Sequence, residues 1–177
     1  MVFTFYAQES FSSPKDNILN NFSKIKNMSF DFTQQIEEKI EVGSCKIQYP
    51  KLLRCLYNNK DRKEIVSNGR SLVIKNNRHN KSYIYPLKTT LLRHVLDKKF
   101  ILEEIRKSEP SKINEDNIEF SIMNNKTNLV KIFFDSKTYN LAGWKTTDIY
   151  QKEVIFKISN IKKNIFIEKN TFKLPTL

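Results

Sequence analysis

The sequence predicts an α+β fold built on one long antiparallel sheet, and two patterns along the chain indicate it. Apolar and polar residues alternate with a period of two in many short runs, as in strands with one buried face. Ahead of these runs, apolar residues recur at helical spacing: Ile18, Leu19, Phe22, Ile25 and Met28. The patterns together predict an N-terminal helix, about ten to eleven strands and short helices in mid-chain.

The N-terminal helix is predicted over 14–28. The residues S-P-K-D at 13–16 are a helix start, because Ser can cap, Pro fits the first turn and Asp suits the positive helix end. The single apolar stripe of this helix needs a sheet to cover. From Ser29 the period changes to two, which predicts a long first strand carrying Phe30 and Phe32.

Two turns organise the centre of the chain. Pro50 has no N–H to give to a ladder and therefore predicts a turn between strands. Asn68-Gly69 predicts a hairpin with a type I′ turn, in which both residues take a positive φ. Four strands result, at about 44–49, 52–58, 63–67 and 71–75.

The second half of the chain continues the sheet after an interruption. We expect the following segments: a strand over 79–85, an amphipathic helix over 88–97, an apolar group at 100–105 that is helical or extended, a loop over 109–117, and strands around 118–122, 130–134, 141–148 and 154–161 with a turn at 124–126.

Length and composition predict one globular domain over 13–177. Hydrophobic residues make up 39% and charged residues 28% of the 177 residues. No apolar run approaches the roughly 20 residues of a transmembrane helix. Residues 1–12 are interpreted as the remnant of a secretory signal or as a disordered N-terminus.

The net charge of +12 raises the question of nucleic acid or an anionic membrane as partner. The Lys residues are scattered over strands and turns and form no single Lys/Arg block. A generally basic, solvated surface is the better interpretation, and nucleic acid is not expected as a partner.

No motif points to an enzyme, a cofactor or a metal. Cys45, Cys55, His79 and His94 form neither C-x-x-C nor H-x-x-x-H spacing. The sequence has no Gly-rich phosphate loop and no G-x-S-x-G. We therefore expect a binding protein without a cofactor or a metal.

Cys45 and Cys55 leave two alternatives open. A three-residue turn centred on Pro50 would place them opposite each other on adjacent strands, within reach of a disulfide. Otherwise they are two small buried apolar residues. We favour the second alternative, because cross-strand bridges are strained.

One face of the predicted sheet is apolar and rich in aromatic residues. It forms either a packed core or a cavity for an apolar ligand, and the pattern does not separate the two. The candidates for this inner face are Phe30, Phe32, Ile47, Tyr49, Leu53, Leu72, Ile74, Phe120, Ile132, Phe134 and Trp144.

The order of these motifs resembles the outer-membrane lipoprotein carrier family, LolA, over roughly 15–175. The matching motifs are F-T-Q at 32–34, I-V-S-N-G at 65–69, L-A-G-W followed by Asp148, and F-K-L-P at 172–175. The three glycines, Gly43, Gly69 and Gly143, all stand at family positions.

The resemblance implies an incomplete β-barrel with a helical lid over a hydrophobic cavity. It implies a monomeric periplasmic carrier that binds the acyl chains of lipoproteins. Its partners would be an ATP-driven exporter of the ABC type in the inner membrane and a receptor or the membrane surface at the outer membrane. The lid candidates are Leu91, Leu92, Val95 and Leu96.

One position departs from the family. The Arg that precedes the turn proline, thought to tie the lid shut, is replaced here by Tyr49. A Tyr hydroxyl can donate one hydrogen bond but lacks the charge and fork of Arg. Arg54 matches a second family Arg and either compensates as a latch or points outward into water.

Two other functions remain as alternatives. The related outer-membrane receptor has the same fold, but receptors carry an N-terminal lipobox Cys, and no Cys precedes Cys45. A basic β-sheet protein that binds nucleic acid is the alternative from another class, and it would bind oligonucleotides in a salt-dependent manner.

Overall fold

A computed structural model describes residues 12–124, 128–148 and 151–175. Most of the predicted N-terminal segment and the turn residues 125 and 126 lie outside these ranges. The elements are α1 Pro14–Ser23, β1 Asn27–Ile36, β2 Lys39–Gln48, β3 Leu52–Tyr57, β4 Lys63–Asn68, β5 Ser71–Asn76, β6 Lys81–Pro86, a 3₁₀ turn Leu87–Thr89, α2 Leu92–Val95, α3 Lys98–Lys107, β7 Lys112–Ile113, β8 Asn117–Asn124, β9 Asn128–Asp135, β10 Leu141–Thr147 and β11 Glu153–Lys163.

The strands form one open antiparallel sheet of eleven strands, which confirms the predicted fold class. Their order is β6-β5-β4-β3-β2-β1-β11-β10-β9-β8-β7. The sheet consists of two meanders, β1–β6 and β7–β11, which join where β11 pairs with β1; a single meander in chain order would not make this pairing. The sheet has two edges, β6 and β7, and the chain between them carries α2 and α3.

Helix α1 has the predicted start but ends earlier than expected. The Ser13 hydroxyl accepts from the Asp16 N–H, and the Asp16 carboxylate accepts from the Ser13 N–H. The helix ends at Ser23, and Met28 already belongs to β1. Met28 is fully buried in the same core as Ile18 and Phe22 of α1. Its spacing from these residues therefore fits a helix although the helix has already ended.

The mid-chain helices are also redistributed. The segment predicted as one helix over 88–97 is split into the 3₁₀ turn and the four-residue α2. The group at 100–105, left open as helical or extended, lies in α3, where the Asp97 side chain caps the helix by accepting from the Phe100 N–H. The expected loop over 109–117 contains the short edge strand β7.

The hairpin at Asn68-Gly69 has a different turn from the one predicted. Ser67 pairs with Leu72, so the two loop residues are Gly69 and Arg70. Only Gly69 has a positive φ, of 91°, which rules out type I′. Asn68 acts through its side chain, which accepts from the N–H groups of Arg70 and Ser71 at 3.0 and 2.9 Å.

The core lies between the concave face of the sheet and the helices. The C-terminal segment after β11 crosses to the outer face, where the Thr171 carbonyl accepts from Arg54 Nη1 at 3.3 Å. No helix among the described residues is long and apolar enough to span a membrane.

Candidate functional site

The predicted inner-face residues all lie on the concave side of the sheet. Nine are buried in the core and Tyr49 packs against it; Ile74 lies at the margin and is partly exposed. The surroundings of these residues differ along the sheet. We call the part under α1 and α3 the filled half and the part under α2 the roofed half.

The filled half is solid. The Phe22 ring of α1 meets the rings of Tyr49 and Phe134 edge-on, with centroids 5.8 and 5.7 Å apart. Phe120 lies 6.1 Å from Phe134. Ile101 and Ile105 of α3 are fully buried in the same cluster. Here the apolar face is ordinary core.

The roofed half contains a cavity of about 150 Å³. Its floor is formed by the rings of Trp144 and Phe156, which stack with centroids 4.3 Å apart. The Phe156 ring also stacks on that of Phe32, 4.6 Å away, which does not itself line the cavity. The remaining wall is mostly aliphatic. The lining residues are Gln34, Leu53, Cys55, Tyr57, Ile65, Leu92, Val95, Trp144, Thr146, Val154 and Phe156.

The cavity adjoins a wider hollow of about 540 Å³ at the rim of the sheet, which we call the mouth. Leu91 lines the mouth and Leu92 lines the cavity, so α2 and the residue before it separate the two spaces. The mouth is lined by Leu72, Ile74, Tyr85, Thr89, Thr90, Leu91, Thr147, Asp148 and Gln151.

Sequence reasoning identified part of this wall and missed the rest. Of the predicted cavity residues, Leu53 and Trp144 line the cavity, and Leu72 and Ile74 line the mouth. The other seven do not line either space. Ile65, Val154 and Phe156 were missed, although the period of two in β4 and β11 places them on the inner face.

The lid candidates lie where the roof forms. Leu92 and Val95 line the cavity, Leu91 lines the mouth, and Leu96 is fully buried beside α2. His94 is also buried, with its ring 4.7 Å from that of Phe100. Burial, followed by the nearby Arg93 charge, lowers the pKa of His94, so this side chain adds no charge to the roof at neutral pH.

The turn around Pro50 contacts the end of the roof through Lys51. The Lys51 N–H donates to the Leu96 carbonyl at 2.9 Å, and its Nζ lies 3.4 Å from the Asp97 carboxylate. The Lys51 carbonyl accepts from the Ser67 hydroxyl at 2.8 Å. Sequence reasoning missed Lys51, because its backbone hydrogen bonds to Leu96 and Ser67 do not depend on the type of its side chain.

The two latch candidates make other contacts. The Tyr49 hydroxyl is buried without a hydrogen-bond partner among the described residues, and burial raises its pKa. Arg54 lies on the outer face, between the inward-facing Leu53 and Cys55, with Nε 2.8 Å from the Glu64 carboxylate. Arg54 therefore lies on the face opposite the lid; it points outward, as the second alternative states, and pairs there with Glu64.

Polar side chains close the cavity beside Tyr57. The Tyr57 hydroxyl donates to Gln34 Oε1 at 2.7 Å, and Lys63 Nζ lies 3.8 Å above its ring. Lys63 and Asn59 donate to the buried Glu41 carboxylate at 2.6 and 2.8 Å. Burial raises the pKa of Glu41, but these contacts together outweigh it and the net shift is downward. The Glu41 carboxylate is therefore ionised at neutral pH.

Cys45 and Cys55 form a disulfide next to the cavity. They are directly paired across β2 and β3, with Cα atoms 4.1 Å apart, and both side chains are buried. Gln48 pairs with Leu52, so the turn has the three residues that this pairing requires. Our preference for two unbonded thiols is wrong.

The described residues contain no group of three His, Cys, Asp or Glu side chains that could hold a metal ion. The lining of the cavity has one carboxamide, one phenol, one hydroxyl and otherwise apolar or disulfide-bonded side chains. This arrangement suits an apolar ligand with few polar atoms.

Comparisons with known proteins agree with this architecture. The family model "Outer membrane lipoprotein carrier protein LolA" matches residues 23–175. No curated protein sequence matches the chain significantly.

Several solved structures are similar to this chain at low sequence identity. An uncharacterized conserved protein of Thermus thermophilus is 8% identical, with a TM-score of 0.54 and 92% of each chain covered. The LolA superfamily protein NE2245 of Nitrosomonas europaea is 7% identical, with a TM-score of 0.45, 92% of this chain and 99% of that chain covered. A chain of the MucA/MucB complex of Pseudomonas aeruginosa is 11% identical, with a TM-score of 0.47, 92% of this chain and 61% of that chain covered. The family match covers most of the chain, and the chain therefore belongs to the LolA family of outer-membrane lipoprotein carrier proteins.

Proposed function

We propose that this protein is a periplasmic carrier that binds the acyl chains of lipoproteins released from the inner membrane and delivers them to the outer membrane. The observation that carries the proposal is the apolar cavity between α2 and the aromatic floor, next to an open mouth. Membership of the carrier family supports the same assignment.

The size of the cavity implies that the roof must move. A volume of about 150 Å³ is below the roughly 300–1,000 Å³ typical of ligand pockets. An acyl chain would therefore enter by displacing α2 and merging the cavity with the mouth. In the filled half, the rings of Phe22, Phe120 and Phe134 pack against one another instead.

The energies allow this displacement. Burying about 15 methylene groups contributes on the order of 12 kcal/mol. The roof is a four-residue helix, and the half-exposed Lys51–Asp97 ion pair that holds its end contributes about 1 kcal/mol or less. Acyl chains can thus open the lid, and reclosure of the lid favours release.

Trp144 provides a direct test, because it is the only Trp of the chain and lines the cavity. A lipopeptide whose acyl chains carry bromine atoms should quench its fluorescence in a saturable, one-to-one manner. The same lipopeptide without bromine is the control and should shift the emission without quenching it. Unchanged emission with both lipopeptides at saturating concentrations would refute the proposal.

A pair of variants locates the binding site. Leu92→Glu places a charge in the roof of the cavity and should abolish quenching. Leu56→Glu places the same charge on the outer face, where Leu56 is 46% exposed, and should leave quenching unchanged. Equal loss in both variants would indicate binding outside the cavity.

A further inference from the structure

The segment 65–96, which we call the basic edge, is unusual in its charge. It spans most of β4, then β5, β6, the 3₁₀ turn and α2, and it contains no Asp or Glu. Its six cationic residues account for half of the net charge of +12. They are Arg70, Lys75, Arg78, Lys81, Lys88 and Arg93.

Arg70, Arg78, Lys81 and Lys88 form no ion pair with the part of the chain that the structure describes. The Arg93 guanidinium is held on the roof, where it donates to the Lys88 carbonyl at 2.8 Å. The stretch 103–119, which leads to the other edge of the sheet, has six acidic and three basic residues. The positive charge is therefore concentrated at one edge.

Strand β6 exposes apolar side chains on both of its faces. Tyr83 and Tyr85 lie on one face and are 55% and 42% exposed, and Ile84 lies on the other and is 50% exposed. A long apolar edge strand is a liability that proteins normally cover or charge. Tyr and Ile beside Lys and Arg are instead typical of a surface that sits at a membrane interface.

The position of this edge relates it to the cavity. Tyr85 of β6 and Leu91 before α2 both line the mouth. A bilayer in contact with the basic edge would therefore lie next to the mouth, and an acyl chain could pass between membrane and cavity with little exposure to water.

We propose that the basic edge docks on an anionic lipid bilayer and turns the mouth of the cavity toward it. Tyr83, Ile84 and Tyr85 enter the interface, and the Lys and Arg side chains contact the headgroups. The purpose of this docking rests on the proposed carrier function, but the docking itself is measured separately. The alternative partner is a protein strand that pairs with β6 through backbone hydrogen bonds. Such pairing would not explain the positive charge or the exposed apolar side chains on both faces of β6.

Vesicle binding tests the proposal. The protein should sediment with vesicles of 30% phosphatidylglycerol in phosphatidylcholine and not with vesicles of pure phosphatidylcholine. Each Lys or Arg near an anionic surface raises partitioning about fivefold. The triple variant Arg78→Gln/Lys81→Gln/Lys88→Gln should therefore lower partitioning on the order of 100-fold, and added salt should weaken the binding of the unchanged protein.

A matched variant controls for the loss of net charge. Arg106→Gln/Lys112→Gln/Lys137→Gln removes three exposed charges from outside the basic edge and should change partitioning far less. Tyr83→Ser/Tyr85→Ser should weaken binding even at low salt, with thermal melts showing that all variants remain folded. Equal effects of the two charge variants, or no binding to anionic vesicles, would overturn the proposal; in the second case a protein strand becomes the candidate partner of β6.

The docking and carrier proposals fail separately. Trp144 quenching by a brominated lipopeptide is measured in solution without vesicles. The triple charge variant should keep that quenching while it loses vesicle binding. If the protein bound vesicles but showed no quenching, the docking proposal would stand and the carrier proposal would be refuted.

Discussion

The filled and roofed halves of the concave face use the same kinds of side chain and differ in what covers them. Over β8 and β9 the ten-residue helices α1 and α3 contribute whole apolar stripes, and Phe22 fills the space above Phe134. Over β3, β10 and β11 the four-residue α2 contributes only Leu92 and Val95 to the wall. A cavity remains where the covering helix is too short to fill the sheet.

The largest expected contrast is in packing energy. Phe134→Ala should destabilise the fold by about 3–5 kcal/mol, because the surrounding rings cannot collapse into the gap. Leu92→Ala in the partly exposed roof should cost about 1 kcal/mol, since it only enlarges an existing cavity. Urea unfolding measures both values, and equal losses would show that the two halves are packed alike.

The disulfide is expected to stabilise the wall of the roofed half. It closes a loop between residues ten apart, and the chain-entropy estimate for such a loop is about 2–3 kcal/mol. Reductant should lower the urea midpoint of the protein accordingly. The double variant Cys45→Ala/Cys55→Ala is the control and should not respond to reductant, and an unshifted midpoint in the unchanged protein would argue against the bond.

Two valines at matched burial test whether the halves tolerate added volume. Val95 faces the cavity and Val130 lies in the solid core, and both are almost fully buried. Val130→Phe should cost about 1–3 kcal/mol through overpacking. Val95→Phe should cost less than about 1 kcal/mol while it reduces Trp144 quenching by a brominated lipopeptide. A larger loss of stability for Val95→Phe would reverse the comparison.

The smallest effect concerns the contact that holds the roof. Lys51→Met removes the ion pair with Asp97 and keeps the backbone hydrogen bond to Leu96. It should lower the free energy of unfolding by less than about 1 kcal/mol but speed ligand entry in stopped-flow quenching. Lys99→Met on α3 breaks the exposed pair with Glu103 and serves as the control. Equal entry rates in the two variants would show that Lys51 does not restrain the lid.

Much of the fold could be predicted because local rules and the fold agree. Ser13 caps α1 as expected, and the three-residue turn at Pro50 sets the register that places Cys45 opposite Cys55. The inner face was predictable because the period of two survives in β1, β2 and β3. Met28 fits the helical spacing of α1 but lies in β1, so the predicted end of the helix was wrong.

The sequence by itself determined the alternation of the strands, the order of the motifs and the accumulation of positive charge without acidic residues over 65–96. These are properties of neighbouring residues, and they hold whatever the rest of the chain does. Only the tertiary structure decided which part of the apolar face is core and which is cavity. That depends on the length of the helix lying above each strand and on backbone contacts such as that of Lys51 with Leu96. Neither the cavity nor a backbone hydrogen bond is determined by the type of any single residue.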